Sequence, residues 1–166
     1  MPRGPDLALI LAAGATLALA GCHGSLGTDV GALRVEPMPL PQRPLVYSGL
    51  IAPLRAVVDD PAAFRALWTQ AFGGMQPVPP VPDVDFSIRR VVVVALGERN
   101  TGGYTIAVES AVLSGSELAI GVKISLPGNC PVTQAMSQAA DFVTIPRTDN
   151  RAVKFDDHSV VQNCGP

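Results

Sequence analysis

The chain is poor in aromatic residues, in charge and in side chains that bind metals, and each shortage excludes something. Aromatics make up 5% of its 166 residues, with a single Trp. A core is affordable at 48% apolar residues, but it must be built mainly from Val, Ile, Leu and Ala. Lys and Arg number 12 against 14 Asp and Glu, a formal net charge of −2. The sole adjacent basic pair is Arg89-Arg90. No basic cluster is present to neutralise phosphates, so nucleic acid is not an expected partner. Of two His and three Cys, the adjacent Cys22 and His23 stand near the N-terminus, and Cys130, Cys164 and His158 fall short of a zinc set of about four ligands. His23 stands beside Cys22, which leaves His158 as the domain's histidine. It follows Asp156-Asp157, and this small cluster reads as a solvated turn in a polar tail. Asp59-Asp60 reads as a helix cap, and Asp83 with Asp85 as the flank of a turn. Arg99-Asn100-Thr101-Gly102-Gly103 lacks the glycine spacing of a dinucleotide loop. No nucleophile, base and orienting group stand together. The expectation is a protein that is not an enzyme and has no cofactor and no metal.

Long apolar runs are also scarce. Leu7 to Ala20 is uncharged, but a membrane-spanning helix needs about 20 apolar residues. The run has the length of a signal-peptide apolar region and ends in Leu19-Ala20-Gly21-Cys22. That tetrapeptide resembles the bacterial lipobox: an apolar residue, two small residues and a cysteine. The resemblance implies a signal peptide over residues 1–21 and lipidation of Cys22. Acyl chains on Cys22 would then hold the chain to a membrane, each buried methylene contributing about 0.8 kcal/mol. His23, rather than Asp, after the lipid site favours the outer membrane of the cell envelope over the inner.

Proline and glycine are plentiful, at sixteen each. Pro37, Pro39, Pro41 and Pro44 recur every two or three residues, which favours extended chain and disfavours helix or central strand. Residues 22–44 therefore read as a lipidated N-terminus and tether, the alternative being that part of it packs on the domain as an edge, and residues 45–166 as one globular domain. Within it, Val46 to Leu50 reads as a short strand. Asp60-Pro61 reads as a helix start. Phe64, Leu67, Trp68, Ala71 and Phe72 follow as one apolar stripe that Gly73-Gly74 ends. Arg90 to Leu96, with four consecutive valines, reads as a central strand. Residues 104–109 and 117–126 alternate with period two around Ser114-Gly115-Ser116 and read as a hairpin. Phe142 to Ile145 and Val153 to Phe155 complete the strands. The expected fold is α+β: a mainly antiparallel sheet of five to seven strands with one amphipathic helix on a face.

With Cys22 lipidated, Cys130 and Cys164 remain, and an exported chain favours their pairing. A loop of this length contributes roughly 3–4 kcal/mol in the chain-entropy account. Two free thiols are the alternative.

Asn100-Thr101-Gly102-Gly103-Tyr104 reads as a tight hairpin turn in which Asn and two glycines supply positive φ. Its surroundings carry a family resemblance. Val84-Asp85-Phe86-Ser87, the Val-rich strand, Gly97, Thr101-Gly102-Gly103-Tyr104, Leu126-Pro127-Gly128 and Phe142-Val143-Thr144-Ile145-Pro146-Arg147 together resemble the PrcB C-terminal domain family, over roughly Leu45 to Phe155. Ala139-Ala140 depart from it, standing where many members have proline and an aromatic. The resemblance implies an exported, non-enzymatic domain that associates with another envelope protein, a protease among the candidates, with residues 100–104 as a candidate partner-binding loop. Over the same five residues the chain also resembles the inserting loop of chagasin-like protease inhibitors, which is one alternative function. A structural envelope lipoprotein that binds lipid or glycan between helix and sheet is another.

Overall fold

Val91 to Val94 lie at the centre of the molecule, wholly buried. β-Branched side chains favour the extended backbone, and a strand apolar on both faces must be covered on both. A computed structural model, describing Met1 and residues 30–148 and 151–165, shows how. The strands are β1 (Val30–Leu33), β2 (Glu36–Pro37), β3 (Pro53–Val58), β4 (Arg89–Arg99), β5 (Thr105–Ser114), β6 (Glu117–Leu126), β7 (Ser137–Pro146) and β8 (Ala152–Val161); the helix α1 is Pro61–Phe72. They form two four-stranded sheets, one in the order β1-β5-β6-β8, the other β2-β7-β4-β3.

β4 lies between β7 and β3, and its alternate residues face opposite cores. Val91, Val93 and Ala95 pack with Phe64, Trp68, Phe72 and Phe142. Val92, Val94 and Leu96 pack with Ile106, Leu118, Ile120 and Val122 of the second sheet. The α+β class is therefore as expected, with α1 on one face of a sheet. The single sheet of five to seven strands is corrected to two stacked sheets. The correction follows from β4: period-two burial on both sides needs a layer on each, and one helix covers one side only.

The helix begins as its sequence indicates. The Asp60 carboxylate accepts the Ala63 N–H at 2.8 Å and Pro61 opens the first turn. The stripe buries Phe64, Trp68, Ala71 and Phe72. Trp68 stands edge-on to Phe142 with ring centroids 5.6 Å apart. Gly73 caps the helix, its N–H donating to the Thr69 carbonyl.

Four other expectations change. Residues 30–44 are not a free tether: β1 pairs with β5 and β2 with β7, and Met38 is buried. Pro37 permits this because β2 is an edge strand, where a missing N–H faces no partner. Residues 46–50 form no strand, although Leu45 bridges to Ala140 and the Val46 carbonyl accepts the Gln138 N–H of β7; the strand is β3, begun by Pro53. The turn at residues 100–104 is no hairpin, because β4 and β5 belong to different sheets. Finally, Asp156-Asp157-His158 lie within β8, a ten-residue strand parallel to β6, rather than in a turn. The expected β5–β6 hairpin is present, with Gly115 at φ +57° in its turn.

The parallel pairing of β6 and β8 brings their C-terminal ends together, and the disulfide follows from it. Cys130 and Cys164 are bonded, with Cα atoms 5.0 Å apart. Asn129 clamps the same junction: its Nδ2 donates to the Cys164 carbonyl at 3.0 Å and its Oδ1 accepts the Cys164 N–H at 2.8 Å. A bridge across a sequence separation of 34 contributes about 4 kcal/mol by restricting the unfolded chain. Among the described residues no helix is long and apolar enough to cross a membrane. Cys22 and the residues of the expected signal peptide, Met1 apart, lie outside the described residues.

Candidate functional site

The 100–104 segment is a corner between the two sheets. β4 reaches it through a bulge between Ala95 and Glu98 in its pairing with β7, where Gly97 takes φ +72°. A Cβ at Gly97 would lie 2.8 Å from the Pro53 backbone nitrogen, so β3 can approach only a glycine there. Past the bulge the chain crosses to β5. The loop between β6 and β7 lies over this crossing. The Gly102 N–H donates to the Thr133 carbonyl at 3.0 Å, and the Ser137 hydroxyl to the Thr101 carbonyl at 2.7 Å. A Cβ on Gly103, at φ +85°, would sit 2.5 Å from Val132 Cγ1. The two glycines thus serve internal packing, and only Gly103 has positive φ; Asn100 does not. Outward the segment offers Asn100 and the Gly103 backbone, both exposed, and Tyr104, half-buried beneath the Arg99 guanidinium at 5.8 Å.

A larger concavity lies on the helix side. The 39–41 segment and the irregular stretch 75–82 enclose an open groove of about 750 Å3, lined by Pro39, Leu40, Pro41, Met75, Val81 and further prolines. Trp68 fixes its floor by donating its indole N–H to the Pro79 carbonyl at 3.1 Å. Its prolines restrict the backbone before any ligand arrives, so little conformational freedom would be lost on binding. A second hollow of about 430 Å3 shares Pro39 and Pro82 with it and is lined also by Asp83, Asp85, Glu36 and Arg89. The Ser87 hydroxyl and N–H hold the Asp85 carboxyl below the ordinary carboxylate range. Glu36 is held low by its hydrogen bond from Arg89, against a smaller opposing effect of burial. The groove is therefore apolar along its length and acidic at one end. In the sequence its residues are visible only as an irregular Pro-rich stretch and a presumed tether, since nothing in either pattern shows that they face each other.

Two buried polar side chains had no signal beyond a charge inside an apolar run. Asp141 of β7 is 3% exposed; it accepts from Arg43 Nη1 at 2.7 Å, from the Val108 N–H at 3.0 Å and from the Phe142 N–H at 3.0 Å. The Val108 N–H is directed to it where β5 bulges between Val108 and Ser110, so Asp141 ties the N-terminal segment and both sheets together. Arg90 is buried and forms an ion pair with Asp59, Nη2 to Oδ2 at 2.6 Å.

Between helix and sheet, where bound lipid or glycan would need space, Phe64, Trp68, Phe72 and Phe142 are at most 2% exposed and fill the interface. His158 stands 3.5 Å from Glu109 on the exposed outer face of the second sheet. Among the described residues no group of three or more His, Cys, Asp or Glu is placed to hold a metal ion.

These features define a class: a small two-sheet β-sandwich with one face closed by a helix and a disulfide at its end, bearing an open apolar groove. Residues 90–146 match the family described as PrcB C-terminal. The match runs from β4 through β7. It includes the 100–104 corner and its covering loop but not α1 or β8, and so is shorter than the resemblance read from the sequence. No curated protein and no solved structure matches the chain.

Proposed function

We propose that the chain is an exported lipoprotein, anchored through Cys22 to the outer membrane, whose non-catalytic domain binds another envelope protein as the accessory subunit of a protease. The observation that carries this reading is the family match over residues 90–146, since the family is named for a subunit of a protease complex. The Leu19-Ala20-Gly21-Cys22 motif supports the anchor. The proline-walled groove is the surface best suited to the partner. Its apolar length and the carboxylates of Asp83 and Asp85 at one end suit an extended partner segment with apolar residues and a terminal Lys or Arg.

The test uses the full chain in its own membranes. A Cys22→Ala variant is expected to lose acyl labelling and leave the membrane fraction. Capture of the wild-type chain from detergent extracts is expected to bring proteolytic activity with it, and Val81→Asp, placing a charge in the groove, to lose that activity while retaining the anchor. Absence of proteolytic activity from wild-type captures would count against the accessory role. Unchanged capture by Val81→Asp would count against the groove.

A further inference from the structure

Among the described residues the two sheets have four edges, and three are blunted. β1 has four residues, β2 has two and includes Pro37, and β3 has six and opens on Pro53. β8 is different: ten residues long, at the end of its sheet and exposed along nearly its whole length. A long open strand is a template for a further strand.

Its backbone parity is defined. The Ala152 N–H donates to the Ser116 carbonyl and the Gln162 N–H to the Leu126 carbonyl. Even-numbered residues therefore bond to β6, and the N–H and C=O groups of Val153, Phe155, Asp157 and Ser159 point away from it. The side chains divide likewise. Phe155 packs inward on the sandwich core, and Asp157 pairs with Arg55 of the other sheet at 2.6 Å. Lys154 and Asp156 share the outer face, both exposed.

We propose that the open edge of β8 binds β8 of a second copy of this chain, antiparallel, about a twofold axis at Phe155. Charge complementarity selects both occupant and register. Centred on Phe155, Lys154 of each copy faces Asp156 of the other, giving two attractive cross-strand pairs. Centred on Lys154, Asp156 or Asp157, the pairing sets like charges directly opposite. The chosen register also places Phe155 opposite itself and Val153 opposite Asp157, all with outward backbone groups, so the ladder closes. The result joins two four-stranded sheets into one of eight, an isologous interface. This inference is independent of the groove and of the anchor.

The experiment co-expresses two differently tagged copies of the full chain and measures capture of one by the other. Wild-type copies are expected to capture each other. Lys154→Glu with itself, and Asp156→Lys with itself, are expected to fall by about tenfold, because both symmetric pairs turn repulsive. Lys154→Glu mixed with Asp156→Lys restores opposite charges at both pairs and is expected to recover capture. The recovery also shows that each variant is folded, and an ion pair within one chain does not predict it. Failure of wild-type copies to associate, single variants that associate as well as wild type, or no recovery in the mixed pair would each overturn the proposal.

Discussion

Replacing Asp141 tests whether a single buried carboxylate holds the N-terminal segment and the two sheets together. Two backbone donors, the Val108 and Phe142 N–H groups, and the Arg43 guanidinium converge on it. In Asp141→Asn one oxygen becomes an amide donor. If the remaining oxygen keeps Arg43 and Phe142, the new NH2 faces the Val108 N–H, a buried donor left without an acceptor, at a cost of about 1–3 kcal/mol. Asp141→Ala strips both backbone donors of this acceptor, for about 3–5 kcal/mol. Arg43 adds little to that figure, because its side chain is 37% exposed and water replaces the lost partner. A domain of this size has a total of about 5–15 kcal/mol, so the alanine variant lies near the limit of folding. Urea unfolding followed by fluorescence of the single Trp, Trp68, reads the difference, because that ring is 1% exposed in the folded state. The expected order is wild type, then Asn, then Ala. Both variants within about 0.5 kcal/mol of wild type, as for an ordinary surface change, would refute the reasoning.

Gly103→Ala is expected to cost about 1–3 kcal/mol from its left-handed backbone alone, with Val132 forced aside. Gly102→Ala meets chiefly the Thr133 hydroxyl, which can rotate away, so it is expected to cost less; the two unfolding midpoints give the comparison, and the reverse order would sink the packing argument for this corner. For pH dependence, the hydrogen bond from Arg90 holds the Asp59 carboxyl below the ordinary carboxylate range, outweighing its partial burial. A depressed folded-state pKa contributes stability that is present above the unfolded value and is lost as pH falls through the folded one. Asp59→Asn is therefore expected to lower stability at neutral pH and to flatten its loss on acidification. An acid limb as steep as that of the wild type would show that Asp59 does not contribute.

Local pattern made much of this fold legible. The Asp60-Pro61 cap, the apolar stripe of α1, the β5–β6 hairpin and the two-faced Val-rich strand are all encoded within a few residues, because capping and side-chain periodicity act over one or two turns or strand repeats. The family resemblance over β4 to β7 was legible in the same way. Boundaries that rest on pairing with distant residues were not. The tether reading failed at residues 30–44 because proline spacing shows what a segment cannot be internally, not whether a distant strand accepts its edge. The 100–104 corner was misread as a hairpin because glycines look alike whether they turn a chain or let another segment pass close by.

The amino-acid sequence by itself determined the α+β class, the helix and its buried face, the central strand, the two cysteines left to pair and the shortage of catalytic and phosphate-binding groups. Each depends on residue type and short-range order. Only the tertiary structure decided the division into two sheets, the burial of Asp141 and Arg90, the proline-walled groove and the open edge of β8. These depend on which distant segments meet, and residues 39–41 and 75–82, like Lys154 and its surroundings on the sheet, acquire a chemical meaning only once the chain has folded.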